Sequence, residues 1–160
     1  TRGESEKRAN LVARTAAETF ASIDITNTRY PYLDAVDALM KAIGTEVMRP
    51  DEVRIPCIRA LGRYADKRPL ELLATHIARK DNDKAVRMEA ARAVSQLLRD
   101  VDIPPSPEVF KTLKEGLFDG DYDVELAVSE AIGNAKLTNQ QRYELESYTR
   151  AKRREKKEGE

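Results

Sequence analysis

A chain of 160 residues has room for one ordinary domain, or for a few repeat units sharing a continuous core. Its 41% apolar and 35% charged residues, with only 7 Gly, no Trp and 6% aromatics, favour helices packed through aliphatic and alanine contacts over a sheet. Lys+Arg and Asp+Glu balance at 28 each, so no global charge recommends nucleic acid or an anionic membrane, and the single Cys excludes an internal disulfide and a CxxC metal site.

The chain opens on Thr1, not Met, and reads as a piece of a larger protein. No apolar run approaches the roughly 20 residues of a bilayer span and no signal peptide is visible. With one Cys, the expected compartment is reducing and cytoplasmic. From about Glu6 to Phe20, Leu11, Val12, Ala16, Ala17 and Phe20 form the apolar side of a helix, the second helix of a unit whose first is missing. Ile23 to Arg29 reads as a loop. Pro31-Tyr32-Leu33 through Val47 then supplies a first helix, with Leu33, Val36, Leu39, Met40 and Ile43 at helical spacing.

Next comes VRIPCIRAL, Val53 to Leu61. Pro69 opens a helix over Leu70 to Arg79, the turn Asp81-Asn82-Asp83 follows, and VRMEAARAV runs from Val86 to Val94. Pro107 opens Glu108 to Leu117, followed by the turn Asp119-Gly120-Asp121 and by VELAVSEAI, Val124 to Ile132. Proline costs least at a helix start, and Asp83 and Asp121 stand where they cap the helices that follow. Thr138 and Gln141 make a T-x-x-Q capping box for a helix through Tyr143, Leu145 and Tyr148. Arg150 to Glu160 is mostly charge and is expected to fray.

The three nine-residue segments repeat one pattern, with small or aliphatic residues at the first, fifth, eighth and ninth places, one face of a helix. Their first residues lie 33 and then 38 apart, and Pro69 and Pro107 are also 38 apart. Each unit is therefore helix, Asp-rich turn, helix. The expected division is a partial unit over about 1–29, units over 30–66, 67–102 and 103–137, a capping helix over 138–149, and a charged tail over 150–160.

The stretch Asp81 to Val94, D-x-D-x-x-V-R-x-x-A-x-x-A-V, resembles the second half of a HEAT repeat, in the short form found in phycobilin lyases and bacterial scaffold proteins. The resemblance covers about Pro31 to Ala135. It implies an all-α, right-handed α-solenoid of HEAT-like or armadillo type, built from about eight helices in antiparallel pairs, with the second helices lining a concave face. It further implies a non-catalytic protein–protein interaction or scaffold module within a larger protein, with no cofactor. Two alternatives follow: a nucleic-acid-binding module using its arginines and basic tail, or an accessory domain of an enzyme such as a chromophore lyase. HEAT-like hydroxylases bind iron through several His-Glu pairs, whereas His76 is the only His here and is followed by Ile77. HEAT-like DNA glycosylases use an aromatic, basic groove that this Trp-free chain does not display.

Candidate sites are few. Asp119, Asp121, Asp123, Glu125 and Glu130 stand at the first, third, fifth, seventh and twelfth places of a would-be calcium loop, but Val124 occupies the sixth, where the bend needs Gly. Val124 is also a repeating core position, so a capping turn is the expectation. Cys57 has Ala90 and Val128 as its repeat equivalents, which points to core packing over reactivity. One His excludes a two-His metal site, and no phosphate-binding glycine loop is present.

The exposed places on the second helices are more informative. Arg54, Arg87 and Glu125 share one repeat position; Arg59, Arg92 and Glu130 share another. Stacked, they form two ladders that change sign, and Glu115 to Ala135 holds six acids and no Lys or Arg. They are the candidate partner-binding residues; the resemblance implies first that Arg54 and Arg87 bond Asp residues of neighbouring turns, a role that can coexist with partner contact. The tail from Arg150 to Lys157 carries six basic residues and one acid and, with the arginine ladder, is what the nucleic-acid alternative rests on.

Overall fold

The computed structural model describes residues 2–22, 33–44, 49–80 and 82–159. Among them the chain forms eight helices and no strand: α1 (Arg2–Ser22), α2 (Leu33–Ile43), α3 (Asp51–Leu61), α4 (Leu70–Ala78), α5 (Lys84–Val101), α6 (Pro107–Gly116), α7 (Tyr122–Asn134) and α8 (Asn139–Glu158). The expectations placed on Ile23 to Arg29, Pro31, Tyr32, Val47 and Asp81 lie outside the described residues.

The helix starts follow from local chemistry. Asp83 accepts the backbone N–H of Ala85 at 2.8 Å, and Asp121 accepts those of Asp123 at 3.0 Å and Val124 at 3.3 Å. Each side chain satisfies N–H groups that have no partner inside the helix. Pro107 occupies the first turn of α6 behind the Ser106 cap. Thr138 and Gln141 exchange side-chain and backbone bonds at 3.0 and 3.1 Å, closing the capping box. From that start α8 continues as helix through Glu158, well past Arg150, where the sequence suggests fraying.

Helices α2 and α3, α4 and α5, and α6 and α7 pack as pairs. The second helices α1, α3, α5 and α7 lie side by side in one layer; α4, α6 and α8 adjoin one another in the other. Arg87, in the first turn of α5, reaches the carbonyl of Ile77 at the end of α4, so α4 and α5 run antiparallel. In the second-helix layer the C-terminal halves meet: Asn134 donates to Ser95 across α7 and α5 at 2.8 Å, and Gly62 sits against Ala93 of α5. Those helices are therefore parallel, with equivalent positions side by side.

The repeated pattern forms the core between the layers. Val53, Val86 and Val124 are all fully buried, as are Ala90 and Val128 at the fifth place, where Cys57 also lies. Burial pushes the Cys57 thiol up to about 11 against the opposing charge of Arg49, and it packs as a small hydrophobe. The apolar side expected of α1 needs correction. In α1, Leu11 and Val12 are 62% and 68% exposed and Ala16 is also exposed, while Ala13, Ala17, Phe20 and Ala21 face the core. Two apolar stripes share this helix, and α3 takes the one richer in alanine, which permits closer helix approach.

Candidate interaction face

Arg54 and Arg87, which share a repeat position read from the sequence as exposed, are instead buried, each only 6% exposed, because both guanidiniums turn inward to bond neighbouring backbone and side chains. Arg54 donates from Nη1 to Asn82 Oδ1 at 2.8 Å, in the turn of the next unit, and from Nη2 to Asp51 of its own helix. Arg87 donates from Nε to the Ile77 carbonyl at 2.9 Å and from Nη2 to Asp119, again in the next turn. Burial alone would raise the Asp119 carboxyl, but hydrogen bonds from Arg87 and Lys80 outweigh it and hold Asp119 below the usual carboxylate range. Both guanidiniums are thus committed to joining one unit to the next.

Asn82 extends the first of these links. Its side-chain amide donates to the His76 carbonyl at 3.1 Å and lies 3.4 Å from His76 Nδ1, while His76 Nε2 donates to the Ile43 carbonyl at 2.8 Å. Burial lowers the His76 pKa, the hydrogen bond to Ile43 opposes this, and the charges of Arg54 and Arg79 lower it further. A neutral imidazole, with its proton on Nε2, ties α4 to the end of α2. Sequence reasoning assigned neither Asn82 nor His76 this role.

The acidic turn is similarly occupied. Asp119 receives Arg87 and Lys80, Asp121 caps α7, Asp123 pairs with Lys84, and Glu125 accepts the backbone N–H of Gly120 at 2.9 Å. Glu125 replaces the forward-reaching arginine of earlier units and turns back onto its own loop. Among the described residues, no three His, Cys, Asp or Glu side chains converge as a metal site.

Arg59, Arg92 and Glu130 lie at the surface. The side chains of Arg59 and Arg92 are 56% and 54% exposed, and the carboxylate of Glu89 bridges them at 3.2 and 3.0 Å. Glu130 is exposed and, among the described residues, makes no ion pair. Four residues earlier on the same helices, and so on the same face, stand Ile55, Met88 and Leu126. The first two pack against the core and keep part of their surface in solvent, and Leu126 is 48% exposed. A row of apolar side chains thus runs across α3, α5 and α7, beside a row of charge that is positive, positive, negative. The sequence places the charged row and misses the apolar one, which occupies the third place of the same repeated segment.

Two layers of paired helices, stitched unit to unit through buried arginines and leaving one helix layer's outer face open, make an α-solenoid. The family model for HEAT repeats matches residues 5–95 and 47–133, so the chain belongs to the HEAT repeat family, whose members generally mediate protein interactions or scaffolding. No curated protein and no solved structure matches the chain. Among the described residues, no helix is long and apolar enough to cross a membrane.

Proposed function

We propose that this chain is a non-catalytic protein-interaction module that grips its partner through the outer face of α3, α5 and α7. The observation carrying this reading is the pairing of the Ile55–Met88–Leu126 row with the Arg59–Arg92–Glu130 row on three adjacent parallel helices. The apolar row supplies area to be removed from water and the charged row sets orientation, a division of labour common to protein interfaces. Of the six residues singled out by the repeat alignment, Arg54 and Arg87 hold units together and Glu125 closes its own turn; Arg59, Arg92 and Glu130 make the contact.

The test is affinity capture from a cell extract with the unsubstituted chain and with a variant carrying Arg59→Ala, Arg92→Ala and Glu130→Ala. Partners retained by the first should be lost from the second, whose circular dichroism stays unchanged because all three side chains are exposed. Equal capture of every partner by both proteins refutes the reading.

A further inference from the structure

The face described above also specifies what kind of segment fits it. Besides Arg59 and Arg92, Arg63 reaches the groove between α3 and α5, a depression of about 180 Å³ lined by these three arginines, Gln96, Gly62, Ala93 and one carboxylate, Glu89. Glu89 is shared between two guanidiniums, and among the described residues Arg63 makes no ion pair, so this groove keeps a net positive charge. One helix further on, the equivalent place holds Glu130, exposed and without an ion pair among the described residues. The surface therefore presents two cationic rungs and then an anionic one, flanked throughout by single apolar side chains.

The interval between rungs is the separation of packed helices, about 8–10 Å. A chain in the polyproline II conformation returns to the same face every three residues after about 9 Å, which matches that interval. Its other two faces then bring intervening side chains over the apolar row. An α-helix fits less well: it needs six or seven residues per interval and an apolar stripe at least about 100° wide, and here the row is one side chain across. Nucleic acid fits less well again, because a uniform run of phosphates would meet the exposed carboxylate of Glu130 at the third rung.

Resting on the proposed function, we infer that the α3–α5–α7 face takes an extended protein segment with carboxylates three residues apart and a cation three residues beyond, in one chain direction or the other. Apolar residues or prolines occupy the intervening places. Specificity comes from the order of signs, since a reversed order sets like charges against each other.

Fluorescence anisotropy on the full chain tests this with labelled heptapeptides. The first carries Glu at places one and four and Lys at seven, with Pro and Leu between; the others are its reverse, the charge-inverted counterpart of each and a scrambled peptide of the same composition. One of the first two should bind at least about tenfold more tightly than the scrambled and charge-inverted peptides. The double variant Arg59→Glu/Arg92→Glu should lose that preference, and adding Glu130→Lys should transfer it to the charge-inverted peptide. If patterned and scrambled peptides bind alike, the inference falls. It also falls if a single-stranded oligonucleotide outcompetes the patterned peptide at the same residues. Should the triple alanine variant lose captured partners while the peptides remain indistinguishable, the face stands and this segment chemistry does not. If neither changes, both fail.

Discussion

Replacing Arg87 by Met keeps a stem of similar volume in the core and removes the guanidinium. The Arg87 and Asp119 side chains are 8% and 5% exposed, so the carboxylate left behind stays out of water. Deleting one partner of a buried ion pair costs about 3–5 kcal/mol. Lys80 remains on Asp119 and moves the cost toward the lower end, while the Ile77 carbonyl loses its donor, worth about 1 kcal/mol. A net loss of about 3–4 kcal/mol is expected, roughly 10 °C in Tm for a chain of this size. Urea unfolding followed by far-UV circular dichroism, on Arg87→Met, Asp119→Asn and the double variant, measures it. The two single losses should be strongly non-additive, with a coupling above about 1 kcal/mol. An Arg87→Met protein within about 1 kcal/mol of the parent, or losses that simply add, would refute the assignment of this pair to inter-unit coupling.

A Cβ at Gly62 would lie 2.9 Å from the Ala93 Cα, so Gly62→Ala should cost about 1–3 kcal/mol by thermal unfolding. At Gly133 the space is open, and Gly133→Ala in α7 should instead be neutral or stabilising by up to about 1 kcal/mol. Because the folded-state pKa of His76 is depressed, the unfolded chain takes up its proton first. This contribution to stability is therefore present above the ordinary value of about 6.5 and is lost as pH falls through and below it. Urea midpoints between pH 8 and pH 5 should show that decline, diminished in His76→Gln. With its thiol raised to about 11 and its side chain buried, Cys57 should resist an aromatic disulfide reagent at pH 8 until urea unfolds the chain; prompt reaction in the native state would contradict its burial.

Much of the architecture is legible in the sequence because repetition marks the core three times over. Val53, Val86 and Val124 share a place in the pattern and share complete burial, and the Asp83, Asp121 and Thr138 caps each have a local signature. The stripe of α1 that packs is not readable in this way. Leu11 and Val12 are the larger hydrophobes, yet helix approach at α3 selects Ala13 and Ala17. His76 and Asn82 were obscured for a different reason: their bonds run to backbone carbonyls and to an arginine 28 residues away, and no periodic signal encodes such partners. Arg54 and Arg59 show the limit most clearly. Both are arginines on one helix, and their different fates depend on where the next unit's turn lies relative to each.

The close seating of Gly62 on Ala93 has a bearing on how such a surface can diversify. The distance from Arg59 to Arg92 is dictated from beneath, by backbone contact, and owes little to the side chains that face outward. Exchanging those outward residues rewrites the message while the ruling of the page stays constant. A bulkier residue at Gly62 would do the opposite, leaving every surface group in place and spoiling the interval at which a bound segment must match them.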